Sequence, residues 1–269
     1  MNIALSFAAA VVVAYGFFAF LLWRYQERIV FQPPLWPASP EDDAPRLSFP
    51  SADGIGLFAF VVGERRSNRP PVIAFHGNAV VARAMIPWTR EAARRLDVCV
   101  VLAEYRGYDG LGGSPTYAAT ALDALVTLDA AAAHLGADRS SFVIFGHSLG
   151  SAVAAELAAS AGAKALVLES PFTSARDMVA RWPVVGFRVG WSLVSRVHYD
   201  TVACVRNLNA PVFVAHGKRD VVVPPRMGRE IFSAAKHPGQ LLMVSEAGHN
   251  DVPEVGGEAY WNWLAAAVL

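Results

Sequence analysis

The sequence predicts one doubly wound α/β domain with a mostly parallel sheet, behind an apolar N-terminal helix. Short runs of nearly continuous apolar residues, typical of strands covered on both faces, recur along most of the chain. Alanine-rich stretches long enough for crossover helices separate these runs, and such alternation is the pattern of a doubly wound sheet. Ahead of them, the 21 positions from Ile3 to Trp23 carry no charged residue.

The overall composition excludes several classes of protein. The 23 Lys and Arg residues balance the 23 Asp and Glu residues, so the chain has no basic surplus with which to bind nucleic acid. Its two cysteines, Cys99 and Cys204, have neither the spacing of metal ligands nor that of a disulfide framework. We therefore expect an unpaired thiol at each position and no metal site.

The uncharged segment is long enough to cross a bilayer, for which a helix needs about 20 residues. A cleaved signal peptide is the alternative, but its apolar region is shorter and follows positive charge, and no basic side chain precedes Ile3. Arg24 and Arg28 follow the segment directly, and basic residues favour the cytoplasmic side of a membrane. We predict that residues 1–30 form a single-pass transmembrane anchor that leaves the main domain on the cytoplasmic side.

Residues 31–45 are predicted to be a connector, because their prolines exclude regular helix and central strand. The main domain follows and comprises residues 46–269. Seven strands are predicted within IGLFAFVV (55–62), PPVIAF (70–75), DVCVVLAE (97–104), SFVIFG (141–146), AKALVLES (163–170), APVFVAHG (210–217) and QLLMVSE (240–246). Five helices are predicted at Val80–Arg95, Tyr117–His134, Leu149–Ala161, Pro225–Lys236 and Gly257–Ala267. Each helix connects two of these strands or follows the last one, as a doubly wound sheet requires.

Residues 172–209 interrupt the regular alternation, because connections in such folds are ordinarily a few residues long. We expect this insertion to fold over one edge of the sheet as a helical cap. It carries five arginines against two aspartates, with Trp182, Phe187 and Trp191 between them. Such a segment either binds an anionic membrane surface and admits lipid esters, or forms a solvated cap with a small aromatic core.

The pentapeptide GHSLG, residues 146–150, matches the G-x-S-x-G pattern of a nucleophilic serine. Since chance alone would place this pattern in roughly one chain in ten of this length, the flanking sequence has to decide. SFVIF precedes it as a strand and LGSAVAAELAAS follows it as a helix, which favours a nucleophile elbow over an ordinary serine. We predict that Ser148 stands on a strained turn whose tightness requires Gly146 and Gly150.

A serine hydroxyl needs a general base and a third group that orients the base. In folds of this type the order along the chain is serine, acid, histidine. Asp220 follows the strand in APVFVAHG and His249 follows the next strand, so both are expected at the same carboxyl edge of the sheet as Ser148. The alternatives are a capping role for Asp220, a polar loop position for His249, and Glu169 as the acid.

Backbone N–H groups are expected to stabilise the oxyanion that attack by the serine would form. The N–H of Leu149 opens the helix after the serine, and a second donor is expected in HGNA, at Asn78 or, as the near alternative, at Ala79. In the same region we expect His76 to brace the loop, and His147 to point away from the serine hydroxyl.

Six segments, in this order, resemble the motifs of the α/β-hydrolase superfamily: HGNA, EYRGYDGLGGSPT, GHSLG, ESPFTSARD, HGKRDVVVP and GHND. Together with the apolar N-terminal segment and IVFQPP, they are most similar to its membrane-anchored BEM46-like branch, also called α/β-hydrolase domain 12/13-like. The resemblance implies an α/β-hydrolase fold and a triad of Ser148, Asp220 and His249. The chain departs from that pattern at Val80, where a glycine is common, at Asp109 in YRGYD, and at Thr116-Tyr117.

Taken together, the motifs predict a membrane-anchored serine hydrolase, similar to lipases and esterases, that cleaves carboxylic esters through an acyl-enzyme without a cofactor. The same triad would serve a thioesterase or an amidase. A non-catalytic membrane-tethered scaffold is the alternative from another class, although such proteins usually lack a triad residue. The expected partners are an acyl ester or lipid substrate and the membrane, which is contacted by the N-terminal helix and, under the first of the two alternatives for the insertion, by the cap as well.

Overall fold

Eight strands form one sheet in the part of the chain that the computed structural model describes, residues 3–34 and 44–269. They are β1 Arg46–Pro50, β2 Gly56–Val62, β3 Val72–Phe75, β4 Val100–Ala103, β5 Val143–His147, β6 Ala165–Glu169, β7 Val212–Gly217 and β8 Pro238–Val244. The predicted connector lies largely outside the described residues, which omit 35–43. All seven predicted strands are present, and β1 is an addition to them.

The strands lie in the order β1-β2-β4-β3-β5-β6-β7-β8. β2 pairs antiparallel with β1 and β4, whereas every other pairing is parallel. The mostly parallel sheet is thus confirmed, and the carboxyl ends of the six strands from β3 to β8 meet at one edge. Sequence patterns do not indicate β1, because it is short, partly exposed and ends in Pro50.

Helices cover both faces of the sheet, which confirms the doubly wound architecture. On one face α3, α4, α7 and α8 enclose a core cluster that includes Leu128 and Val205, and on the other α2 and α9 enclose a cluster that includes Ile86 and Trp263. The nine helices within the described ranges are α1 Ile3–Val30, α2 Ile86–Leu96, α3 Tyr117–Leu135, α4 Leu149–Ala161, α5 Ala175–Ala180, α6 Val185–Val194, α7 Thr201–Asn207, α8 Pro225–Ala234 and α9 Val252–Val268.

Two helices begin several residues away from the predicted position, each for a local reason. α2 begins at Ile86 rather than at Val80, because Pro87 is accommodated only in a first turn, and a short 3₁₀ turn precedes it. α9 begins at Val252 rather than at Gly257. Gly257 lies inside this helix with a φ of 51° and kinks it. The kink breaks the helical pattern of apolar residues, so the turn before Gly257 is not recognisable from the sequence as part of the helix.

The long insertion between β6 and β7 contains the three short helices α5, α6 and α7. Two other helices, α1 and α3, have the length and apolar composition of a membrane span. α3 belongs to the core of the domain, because Leu128 and Ala131 are buried against the sheet. The apolar side chains of α1 are mostly exposed, and its place at the beginning of the chain suits a membrane anchor or a signal sequence.

Candidate active site

Ser148 lies in the turn between β5 and α4, with a φ of 52° and a ψ of −115°. Such a conformation is rare for a residue with a side chain and costs of order 1–3 kcal/mol. A Cβ at Gly146 would lie 2.1 Å from the carbonyl oxygen of Gly150, and a Cβ at Gly150 would lie 2.2 Å from that of Phe75. The two glycines therefore let strand and helix approach closely enough to hold the strained serine at the carboxyl edge of the sheet.

The imidazole of His249 lies between Ser148 and Asp220. Its Nε2 is 2.8 Å from the Oγ of Ser148, and its Nδ1 is 2.7 Å from the Oδ2 of Asp220. The loop after β8 supplies His249 and the loop after β7 supplies Asp220, and both strands end at the same edge as β5. The structure therefore brings all three predicted side chains into one hydrogen-bonded chain.

Asp220 is held as a carboxylate by several donors. Its Oδ1 accepts hydrogen bonds from the N–H groups of Val222 and Val223, and its Oδ2 lies 3.0 Å from the Nε2 of His216. Burial opposes ionisation of Asp220, but hydrogen bonds from His216 and His249 outweigh it and hold the pKa of the carboxyl below its usual range. A carboxylate can only accept hydrogen bonds, so the Nδ1 of His249 carries the proton of their shared bond. The Nε2 of His249 is then unprotonated and can accept the hydroxyl proton of Ser148.

Glu169, the alternative acid, is engaged away from the imidazole of His249. Its Oε2 accepts a hydrogen bond of 2.6 Å from the hydroxyl of Tyr260, and burial raises the pKa of Glu169 to about 7.

His147, which precedes Ser148, has its Nε2 3.2 Å from the carbonyl oxygen of His249. Burial, together with the His249 ring, lowers the pKa of His147 to about 4, so the neutral ring can donate to that carbonyl. His147 thus supports the backbone of His249.

Asn78 and Leu149, the two expected oxyanion donors, line the same cavity as Ser148. Among the described residues, neither backbone N–H donates a hydrogen bond to a protein acceptor. Both groups therefore lack a protein acceptor among the described residues, as the expected oxyanion role requires. Ala79, the near alternative, follows with a φ of 58°, so the loop turns sharply directly after Asn78.

The side chain of Asn78 ties its loop to the end of α1. Its Nδ2 donates to the carbonyl of Val30 at 2.6 Å, and its Oδ1 accepts from the N–H of Gln32 at 3.0 Å. The same Oδ1 accepts from the hydroxyl of Tyr108 at 2.8 Å. Three bonds in different directions thus hold this amide, and with it the backbone of the loop.

His76 and its hydrogen-bond partners hold the same loop in place. Its Nε2 lies 2.8 Å from the Oε1 of Glu104, whose Oε2 accepts from the N–H of Ala82 at 2.9 Å. The hydroxyl of Tyr105 donates to the carbonyl of His76 at 2.9 Å. Because these side chains are buried, the bonds between them are shielded from competing water, and they fix the loop against β4.

A cavity of about 580 Å³ extends from Ser148 to the insertion, a size typical of small-molecule pockets. Its wall is mostly apolar, with Phe187 and Trp191 contributed by α6. Ile29 and Val30, in the last turn of α1, complete the wall. The cavity can therefore hold an apolar group whose reacting end lies at the serine.

Residues 72–261 match the profile of a family described as the alpha/beta hydrolase family. The chain belongs to the α/β-hydrolase family. An uncharacterized protein of Mycobacterium tuberculosis is 32% identical to this α/β-hydrolase over 257 residues, which cover 92% of this chain and 88% of the relative. The protein bem46 of Schizosaccharomyces pombe is 30% identical over 237 residues, covering 81% and 76% of the two chains. These relatives confirm the resemblance to BEM46-like proteins.

The fold of this α/β-hydrolase also resembles that of solved esterase structures. The Pyrococcus furiosus esterase Pf2001 superposes with a TM-score of 0.69 at 16% sequence identity, and the match covers 88% of this chain and 96% of the esterase chain. At that identity the likeness shows the fold alone.

Sequence reasoning did not identify several contacts around the site of this α/β-hydrolase. His216 precedes Asp220 by four residues at the end of one strand, a spacing that could have indicated their contact. The hydroxyl of Ser170 donates to the carbonyl of His249 at 2.9 Å, and the amide of Asn78 bonds Val30. These last two pairs lie far apart along the chain, and no local pattern indicates them.

The thiols of this α/β-hydrolase lie apart from the site. Cys99 and Cys204 are free, and burial raises the pKa of Cys99 to about 11 and that of Cys204 to about 12. Both are therefore protonated and unreactive at neutral pH. Within residues 3–34 and 44–269, no group of three or more His, Cys, Asp or Glu side chains is arranged to hold a metal ion.

Proposed function

We propose that this chain is a membrane-anchored serine hydrolase that cleaves carboxylic esters of small or lipid molecules, with Ser148, His249 and Asp220 as its triad. The observation that carries the proposal is the pair of distances on either side of the His249 ring, 2.8 Å to Ser148 and 2.7 Å to Asp220. The strained backbone of Ser148 supports it, because a serine without a chemical role gains nothing from a positive φ.

In the first half of the reaction, the Oγ of Ser148 attacks the carbonyl carbon of the ester while Nε2 of His249 takes the hydroxyl proton. The carboxylate of Asp220 stabilises the imidazolium that results. The carbonyl oxygen becomes an oxyanion, which accepts hydrogen bonds from the N–H groups of Leu149 and Asn78. Loss of one such donor typically costs ~2.7–4 kcal/mol of transition-state stabilisation.

Collapse of the tetrahedral intermediate breaks the carbon–oxygen bond of the leaving alcohol. His249 gives its proton to that oxygen, and the acyl group remains on Ser148. A water molecule then attacks the acyl carbonyl, His249 takes one of its protons, and the carboxylic acid leaves as Ser148 regains its hydroxyl proton. Every proton is moved by His249, so the reaction needs no cofactor.

The proposed organisation follows the chain. Residues 1–30 are the membrane anchor, 31–45 the connector, and 46–269 the hydrolase domain, in which 172–209 form the cap. The exposed apolar surface of α1 supports the anchor. The basic residues Arg24 and Arg28 support a cytoplasmic position for the domain.

Labelling with a fluorophosphonate, which reacts with activated serines, tests the proposed function. We expect the full-length protein to be labelled and the Ser148→Ala variant to remain unlabelled, with ester hydrolysis reduced at least about 10⁴-fold. Ser160→Ala is the matched control, since Ser160 lies at the far end of the same helix. A folded wild type that is not labelled would overturn the proposal and favour a non-catalytic scaffold.

A substrate panel separates the bond classes that the triad could cleave. The full-length protein in detergent micelles is assayed on p-nitrophenyl esters of increasing chain length, on lysophospholipids and on acyl thioesters, and the values of kcat/KM are compared. We expect oxygen esters to be hydrolysed with the highest kcat/KM. A higher kcat/KM for thioesters would instead identify a thioesterase with the same triad.

A further inference from the structure

The cap helix α6 packs against the middle of α1 through two glycines. The hydroxyl of Tyr15 donates to the carbonyl of Gly186 at 3.1 Å. A Cβ at Gly190 would lie 3.2 Å from side-chain carbons of both Phe18 and Leu22. The spacing of four residues places both glycines on one side of α6, where the absence of side chains lets the two helices approach closely.

Polar contacts join the ends of these helices near the last turns of α1. The buried amide of Gln26 donates to the carbonyl of Val194 at 3.0 Å and accepts from the N–H of Arg196 at 2.5 Å. The guanidinium of Arg196 lies 4.9 Å from the ring of Trp23 and 3.4 Å from the carboxylate of Glu27. The end of α6 thus lies beside residues of α1 that follow the uncharged segment, and its beginning lies beside Tyr15.

The contact with α1 determines the depth of α6, provided that α1 spans a bilayer as proposed above. At about 1.5 Å per residue, the 21 uncharged positions measure about 31 Å, close to the thickness of a hydrocarbon core. Phe18 and Leu22 then lie about 2–8 Å inside the boundary marked by Trp23, and Tyr15 lies about 12 Å inside it. The middle of α6 is therefore at the depth of interfacial amphipathic helices.

The outward side of α6 is apolar. Val185, Val189 and Leu193, spaced by four residues, form one stripe with side-chain exposures of 66%, 47% and 70%. This outer stripe adjoins the side that carries the two glycines, so it continues the exposed apolar surface of α1. Arg188 is exposed beside the stripe, and its long side chain can carry the guanidinium towards the head groups.

Part of the cavity wall next to the cap is exposed to the outside. Trp182, which precedes α6, lines the cavity and is half exposed, as is Val222, while Val221 is almost fully exposed. The guanidinium of Arg181 donates to the carbonyl oxygens of Val221 and Val222, which joins the cap to the loop that follows Asp220. An apolar chain that reaches Ser148 from this side meets a wall of mostly apolar side chains.

We propose that the outer stripe of α6 lies in the membrane interface beside α1, so that a substrate's acyl chain passes from the bilayer into the cavity without crossing water. The inference rests on the proposed function, since it assigns the substrate of that site to the lipids of the membrane. It identifies the side of the cap that contacts the membrane, and it makes α6 the element that delivers the ester carbonyl to Ser148.

Depth-dependent quenching tests the docking of α6. Single cysteines introduced as Val189→Cys and Leu193→Cys in the full-length protein carry an environment-sensitive fluorophore, and the protein is reconstituted in phosphatidylcholine vesicles containing nitroxide-labelled acyl chains. We expect strong quenching at both positions and none at Lys164→Cys, an exposed control at the opposite edge of the sheet. Equal quenching at all three positions would overturn the proposal. Disulfide-linked dimers of the unlabelled Val189→Cys variant, together with no quenching of its labelled form, would also overturn it and identify a second copy of the chain as the occupant.

Activity on two substrates separates this inference from the proposed function. For Val185→Glu, next to Gly186 at the depth of Tyr15, we expect hydrolysis of a long-chain ester embedded in vesicles to fall about tenfold, because the carboxylate resists insertion, which corresponds to about 1.4 kcal/mol. Hydrolysis of p-nitrophenyl acetate and fluorophosphonate labelling should stay within twofold of the wild type. Val255→Glu, an exposed position on α9, should change neither activity. Unchanged vesicle hydrolysis by a Val185→Glu variant that still reacts with the fluorophosphonate overturns the inference alone, whereas a wild type that does not react overturns the proposed function.

Discussion

The side-chain amide of Asn78 donates a hydrogen bond of 2.6 Å to the carbonyl oxygen of Val30. Val30 is the last residue of α1, and Asn78 belongs to the loop in which we place one of the oxyanion donors. The N-terminal helix is therefore bonded directly to the proposed catalytic machinery, in addition to its packing against the cap.

Removing this link should slow catalysis without abolishing it. Asn78→Ala keeps the backbone N–H but loses all three bonds that hold the loop, so we expect kcat to fall about tenfold, or about 1.4 kcal/mol, while KM for a short ester changes little. Tyr108→Phe removes only one of the three bonds and should cause a smaller loss. Steady-state kinetics on p-nitrophenyl butyrate measure both, and an unchanged kcat for Asn78→Ala would contradict the role of the side chain.

The strained backbone of Ser148 predicts an unusual order of stabilities. At a φ of 52°, a glycine is relaxed whereas an alanine keeps the strain, so Ser148→Gly should exceed Ser148→Ala in free energy of unfolding by about 1 kcal/mol. Thermal unfolding in one detergent compares the two inactive variants. The control pair is Ser151→Gly and Ser151→Ala inside α4, where the order should reverse by about 1 kcal/mol. The same order at both positions would show that Ser148 is not strained.

The sheet, and the convergence of the three triad side chains at one of its edges, can be predicted from the sequence because they depend on local pattern and on strand direction. Ser148, Asp220 and His249 each follow a strand, and parallel strands that run the same way end at the same edge. The contacts of α1 have no such signal. Gln26 bonds Val194 across 168 positions, and a segment that is apolar on every side suggests lipid all around it, although one side packs on α6.

Glu169 should make the protein less stable as the pH rises. The pKa of its buried carboxyl is raised from 4.5 to about 7, so the unfolded chain releases a proton that the folded chain retains between these values. Its contribution to stability is therefore fully present below about pH 4.5 and is lost progressively as the pH rises to about 7. Glu169→Gln keeps an acceptor for Tyr260 and should stabilise the protein at pH 8 by up to about 3 kcal/mol, with little effect at pH 4.

Thermal unfolding midpoints between pH 4 and pH 8 measure this effect. Glu230→Gln, which neutralises an exposed carboxylate on α8, is the control and should shift the midpoint little at either pH. An equal shift for Glu169→Gln at both ends of the range would contradict the raised pKa.

The buried amide of Gln26 should hold the cap on α1. Gln26→Leu leaves the carbonyl of Val194 and the N–H of Arg196 without their partner, which costs about 1–3 kcal/mol for each group that stays buried. We expect faster amide hydrogen exchange in residues 185–196, with no change in α4. Gln32→Leu, at an exposed position, should leave the exchange of the cap unaltered. Exchange that is unchanged in Gln26→Leu would show that the glycine contacts alone hold α6.

Ile29 and Val30 form part of the wall around the space next to Ser148. Deleting the first 30 residues, as would be done to remove the proposed anchor, would open that wall to water and expose the buried side chain of Phe31. Rate constants measured on such a shortened protein would describe a wider and wetter chamber. A selectivity for short acyl chains found in this way would be a property of the deletion and not of the full-length protein.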